Sequence, residues 1–254
     1  MSPQRPRVEL VEERAGADAT LDIALSAALL ARVASRERPP VLRCYRPLPT
    51  VAFGSRDRFL PGFPGATAAA GRHGFVPVIR AAGGRAAAYD RGCLVLDEIM
   101  PAADSMSAIG ERFADGAEHQ ARALRGLGVD ARVGQVAGEY CPGEFSVNAR
   151  GDVKLIGSAQ RIIRGAWLFS TVVVVNSAGT LRPVLEDVYA QLGLAWDPAT
   201  TGSVANELSG VSIQGVQRAL LAQYDGRYDL AAASLTEHDV AAARKLIDRH
   251  KVAV

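Results

Sequence analysis

The chain of 254 residues is 48% hydrophobic and 22% charged, with a formal net charge of +2. Such a balance belongs to a globular protein long enough to bury a sizeable core, and excludes a disordered or fibrous chain. Near-neutrality without dense Lys/Arg blocks leaves no electrostatic footprint for nucleic acid or an anionic membrane. From the N-terminus, MSPQRPRVELVEERAG shows no hydrophobic h-region, and no apolar run approaches the ~20 residues that span a bilayer. Cys44, Cys93 and Cys141 form neither a disulfide framework nor a CxxC pair, which fits a reducing cytoplasm.

VELVE (8–12) reads as an edge strand. Residues 19–35 have apolar side chains at helical spacing, with Asp18 placed to cap them. PVLRCYR (40–46) and TVAFG (50–54) read as strands joined by a Pro-bearing turn, and 65–74 as a short helix. FVPVIR, RAAAY and CLVLDEIM follow as β segments, the first two separated by the turn signal Ala81-Ala82-Gly83-Gly84. The longest helix is predicted over 105–128, followed by VDARV, a hairpin turning at Ala149-Arg150-Gly151-Asp152, and the β-branched run GAWLFSTVVVVN. Three helical stretches fill the rest. With strands clustered between about 40 and 176 and helices on either side, the order predicts an α+β fold: a mixed, largely antiparallel sheet flanked by helices. A single domain over 1–254 is expected, its C-terminal helices from about 181 packed on it.

Two stretches carry candidate chemistry. In VIRAAGGRAAAYDRGCL (78–94), Gly83-Gly84 would let a ligand approach backbone N–H groups, and the flanking Arg80 and Arg85 could hold an anion or a polarised carbonyl. The same glycines could simply close a hairpin. Neither a GxxxxGK[ST] loop nor a GxGxxG turn is present. The second stretch is EYCPGEFSVNARGDVKLIGSAQR (139–161). Cys44 and Cys93 sit in strand-like runs, as small buried hydrophobes do, whereas Cys141 precedes Pro142-Gly143 in a turn setting. Lys154 falls on the hairpin face opposite Val153 and Leu155, either solvated or turned toward a site. Gly157 offers a place for close approach. The four histidines, His73, His119, His238 and His250, have no ligand spacing, so no metal is expected.

Taken together, RxxGGxAxxxDxGxL, then YCPGxF, a Gly-turn-Lys hairpin and GSAQR resemble the lipoate–protein ligase and octanoyltransferase family. The resemblance implies a fold shared with biotin protein ligases and class II aminoacyl-tRNA synthetases. The cysteine-dependent octanoyl- and lipoyl-transferases of the family place a cysteine shortly before the lysine hairpin, and Cys141 matches it. Its YCPG context looks closest to the amidotransferases that move an acyl group between lipoyl domains. The resemblance assigns catalytic roles to Cys141 and Lys154, and acyl-site roles to Arg80, Gly83, Gly84, Arg85, Gly157 and Ser158. A ping-pong transfer is expected, with Cys141 carrying the acyl group as a thioester. Lys154 would either sit beside the thiolate as a cation or bind the carbonyl oxygen. Removing that lysine should then stop transfer at little cost in stability.

Implied partners are the lipoyl domains of 2-oxoacid dehydrogenases, the glycine cleavage H protein and an acyl carrier protein. No cofactor is required for transfer. Two other readings stay open: an ATP- and Mg²⁺-dependent lipoate ligase in which Cys141 is incidental, and a non-catalytic lipoyl-binding protein. The chain departs from the family at Ala82, at Tyr89-Asp90 and at Gly54-Ser55-Arg56-Asp57. These changes bear on adenylate handling more than on acyl transfer.

Overall fold

A computed structural model describes residues 5–102 and 108–252. Strand β1 (Arg7–Val11) leads to helix α1 (Ala19–Ala34), whose first turn is capped by the Asp18 carboxylate accepting from the Thr20 N–H at 2.8 Å. Next come β2 (Val41–Tyr45), β3 (Thr50–Phe53), a 3-10 turn at Asp57–Phe59 and α2 (Phe63–Arg72). Then β4 (Val76–Ile79), β5 (Ala87–Tyr89) and β6 (Cys93–Pro101) precede α3 (Ile109–Gly126). Residues 105–107 of the expected long helix lie outside the described residues. The central strands end with β7 (Ala131–Val133), β8 (Val147–Ala149), β9 (Val153–Ile163) and β10 (Ala166–Val174). After them come α4 (Ala178–Leu192), the short α5 (Val204–Glu207), α6 (Ile213–Asp225), β11 (Asp229–Ala233) and α7 (Glu237–Leu246).

Eight strands form one sheet in the order β11-β1-β2-β6-β10-β9-β8-β7. β1 runs parallel to both its neighbours, and every other adjacent pair is antiparallel. A second sheet, β4-β3-β5, has three strands. Two expectations are corrected here. VELVE is not an edge strand, because β11 pairs outside it, and the C-terminal stretch expected to be helical contains that strand, beyond the cluster at 40–176. DLAAA lacks the β-branched alternation that marks a strand, so β11 was invisible. The Pro47-Leu48-Pro49 turn carries the chain from one sheet to the other.

The strand order also decides what Gly83-Gly84 does. β4 and β5 lie on opposite sides of β3 and do not pair with each other, so the glycines do not close a hairpin. Burial follows the alternation of the sheet. On β6, Leu94, Leu96 and Met100 pack with α3 and α6, while Cys93 joins the core around the small sheet, α2 and α4. A third core lies between α1, α7 and the sheet, with Val41, Ile99 and Leu168. The cleft between the two sheets is where the candidate residues gather. Among the described residues no helix is long and apolar enough to cross a membrane.

Candidate active site

Between β7 and β8 the chain leaves the sheet and folds around a single carboxylate. One oxygen of the buried Glu139 accepts the Gly143 N–H at 2.9 Å, the Ser146 hydroxyl at 2.7 Å and the Lys154 ammonium at 3.4 Å. A buried charge is tolerable only with such partners, and here they draw the loop into a ring that contains Cys141.

Cys141 has φ +42°, a left-handed conformation that costs a residue with a Cβ on the order of 1–2 kcal/mol. Two hydrogen bonds hold it there. Its N–H donates to Tyr189 Oη at 2.8 Å, and its carbonyl accepts from Lys154 Nζ at 2.8 Å. Tyr189 Oη in turn donates to the Ala86 carbonyl at 2.9 Å, tying the loop to the start of β5.

The sulfur of Cys141, half-buried, accepts the Arg85 N–H at 3.2 Å and faces Arg80 Nη2 at 3.5 Å. Both donors stabilise negative charge as it develops on sulfur. This close approach requires glycine at position 84. Its φ is +99°, and an added Cβ would fall 2.9 Å from the sulfur and 2.5 Å from Arg80 Nη2. Gly83 faces open space. The two arginines therefore divide their work. Arg80 turns its guanidinium to the thiol and to the Arg85 carbonyl, 2.8 Å away. Arg85 sends its own guanidinium to the buried Asp57 at 3.2 Å and presents only its backbone N–H to the sulfur.

Lys154 reaches the site through an irregularity in β9. Val147 pairs with Ile156 while Asn148 pairs with Lys154, so β9 carries one extra residue, a bulge at Leu155. Leu155 and Ile156 both enter the core, and Lys154 is left on the cleft side against Gly157. A Cβ on Gly157 would lie 3.1 Å from Lys154 Cε. The ammonium donates to the carbonyls of Cys141 at 2.8 Å and Tyr140 at 3.1 Å and to Glu139 at 3.4 Å. It is thus not solvated, and it grips the loop that carries Cys141; the cation beside the sulfur is Arg80. Burial lowers the pKa of Lys154 below that of an ordinary lysine, against the raising influence of Glu139.

A cavity of about 670 Å³ opens over this group, lined by Gly84, Cys141, Lys154, Phe113, Phe145 and Val172 among others, a size that suits a small-molecule chain. A recess of about 50 Å³, sharing Arg80, Gly157 and Val172 with it, continues beneath α1. Its wall includes Asp97, which accepts the Ser26 and Ser170 hydroxyls at 2.5 and 2.6 Å. Ser158, anticipated from sequence, also lines the cavity, with its hydroxyl meeting Thr171 at 2.9 Å and Gln120 at 3.5 Å, toward α3. Glu139 and Tyr189 were not anticipated. Tyr189 lies 48 positions from the cysteine it holds, and no local spacing could have signalled it.

Residues 18–225 match the family model of the lipoyl protein ligase A/B catalytic domain. The chain belongs to that family. It is similar to an octanoyl-[GcvH]:protein N-octanoyltransferase of Geobacillus kaustophilus, with 29% identity covering 69% of this chain and 62% of that protein. The enzyme of the same name from Anoxybacillus flavithermus is 32% identical over 65% of this chain and 59% of its own. The chain thus spans about three fifths of the length of these relatives. Among solved structures, a bi-partite lipoate protein ligase from Thermoplasma acidophilum superposes with a TM-score of 0.70 at 22% identity, covering 97% of this chain and 93% of that one. The shared fold of this lipoyl ligase family is the mixed sheet flanked by helices described above.

Proposed function

We propose that this family member is an acyltransferase of protein lipoylation, moving an octanoyl or lipoyl group between carrier proteins through Cys141. The observation that carries this reading is the sulfur itself, exposed to the cavity and met by the Arg85 N–H and the Arg80 guanidinium. A covalent carrier needs an accessible sulfur with donors aimed at it, and the Arg85 N–H and the Arg80 guanidinium are so aimed.

In the first step Sγ attacks the acyl carbonyl of the donor. A C–S bond forms, the bond to the donor's lysine nitrogen or thioester sulfur breaks, and the thiol proton leaves with that group. In the second step the neutral amine of an acceptor lysine attacks the thioester; the C–N bond of the amide forms, the C–S bond breaks, and the proton shed by the amine returns the departing sulfur to a thiol. The negative charge on the carbonyl oxygen in each step calls for a donor, and Lys154 lines the same cavity. All three of its protons are engaged, so a substrate oxygen would displace the longest bond, the one to Glu139. The names of the relatives point to the glycine cleavage H protein as one such carrier. Residues 1–254 act as one catalytic unit in this reading, with lipoyl domains as acceptors and no nucleotide consumed.

Intact-mass analysis after incubation with octanoylated H protein tests the proposal. Wild type should gain one octanoyl group that hydroxylamine removes, and should pass it to an apo lipoyl domain without ATP. Cys141→Ala should do neither, whereas Cys44→Ala and Cys93→Ala, at fully buried positions, should keep both. If Cys141→Ala joins lipoate to the lipoyl domain at the wild-type rate with ATP and Mg²⁺, the protein is a ligase and the thioester reading fails.

A further inference from the structure

The loop from β3 to α2 borders the cavity through Ser55 and carries a side chain that nothing in the fold covers. Phe59 is 84% exposed, whereas the next large apolar side chains among the described residues, Val76 and Val133, are 41% and 37% exposed. Single apolar groups at a surface are common, but a phenyl ring left this bare between charges is not. Arg56 and Arg58 flank it, both exposed and neither in an ion pair among the described residues.

The loop is held rigidly. Asp57, fully buried beneath it, accepts the Gly54 N–H at 2.9 Å and Arg85 Nη1 at 3.2 Å. Gly54 packs so closely on the turn that an added Cβ would lie 1.8 Å from the Gly84 carbonyl oxygen. Arg85 therefore bonds the loop with its side chain and the Cys141 sulfur with its backbone N–H, which fixes the distance between them. A bare aromatic ring between free arginines, on a support tied to the reactive sulfur, has the composition of an interface anchor.

We infer that the segment 54–60 is the docking surface for the acyl acceptor: Phe59 enters an apolar dimple of that protein, and Arg56 and Arg58 pair with carboxylates around its target lysine. The inference rests on the acyl-transfer reading, which requires a protein to bring a lysine amine to Cys141. It assigns the partner an acidic surface, because the segment presents the exposed Arg56 and Arg58, with Arg85 bound to it and partly exposed. Charge pairs at such a rim act on encounter and are screened by salt.

Binding and chemistry are measured separately. An apo lipoyl domain is titrated calorimetrically into wild type, Phe59→Ser and the double variant Arg56→Glu/Arg58→Glu at low and high salt. Acylation of each protein by the small thioester octanoyl-N-acetylcysteamine is followed by intact mass. The expected result is salt-sensitive binding by wild type, and binding weaker by roughly tenfold or more in both variants. The double variant should lose the salt dependence, and small-thioester acylation should stay within about twofold of wild type in all three. Unchanged lipoyl-domain affinity in the variants, or no binding by wild type, overturns the inference. So does impaired small-thioester acylation in the variants, which would place the loop in the catalytic machinery. If wild type binds as expected but Cys141 takes no acyl group, the docking surface stands and the acyl-transfer reading falls.

Discussion

Lys154 shows how much a side chain's role depends on what surrounds it. On the hairpin pattern alone a solvated lysine was the commoner reading, and a catalytic one the exception. Its burial, its three acceptors and its contact with Gly157 exclude the first. The expectation that removing it costs little stability is corrected for the same reason. Lys154→Ala leaves Glu139 buried with its only ion-pair partner among the described residues gone, a loss on the order of 3–5 kcal/mol that urea unfolding should register. Glu139→Gln is the gentler probe, since it keeps the shape and most hydrogen bonds of the ring. Glu139 opposes the burial that lowers the pKa of Lys154, so removing its charge should let the ammonium lose its proton at still lower pH. The sign is therefore fixed: if the ammonium serves acyl transfer, the alkaline limb of the pH–rate profile shifts toward neutrality in Glu139→Gln. A slower variant with an unmoved limb would mean that Glu139 only shapes the loop.

At the scale of elements, the glycine-rich turn and the hairpin were legible because their signals are local. Gly83-Gly84, the turn at Arg150-Gly151 and the Pro-Gly after Cys141 all announce themselves within a few residues. The bulge at Leu155 was not legible, since an extra residue in a strand shows only once the partner strand is in place. Nor could pattern separate the two glycines, which the structure distinguishes sharply. Gly84→Ala puts a Cβ among the sulfur and the Arg80 guanidinium, at a φ that also strains any L residue; acylation of Cys141 should fall steeply, with a stability loss of roughly 1–3 kcal/mol. Gly83→Ala meets nothing within 4 Å and should acylate near the wild-type rate. Equal behaviour of the two variants in a single-turnover acylation assay would dissociate the turn from the thiol.

For the whole molecule, the α+β class followed from the succession of strand-like and helix-like stretches, but the division into two sheets did not. Pairing between distant segments, such as β1 with β11, is a matter of tertiary contact that local periodicity does not encode. That division matters, because on the acyl-transfer proposal the cleft between the sheets is where the acyl chain would lie. Arg80 and Gly157, which line the cavity, also line the recess bounded by Ala27, Tyr45, Tyr89, Leu168 and Val172, with Asp97 held between Ser26 and Ser170. An apolar tail on Cys141 that enters this recess buries its last carbons there, and each buried methylene contributes about 0.8 kcal/mol, or roughly fourfold in affinity. Filling the recess should therefore penalise long chains selectively. Ala27→Leu places a larger side chain from α1 into it, and the rate of Cys141 acylation should fall more for an octanoyl than for a butyryl thioester, by about fourfold for each carbon displaced. Overpacking alone would cost on the order of 1–3 kcal/mol of stability and slow both donors alike. A thermal melt run beside the kinetics separates the two effects, and an equal loss with both donors would show that the tail lies elsewhere in the cavity.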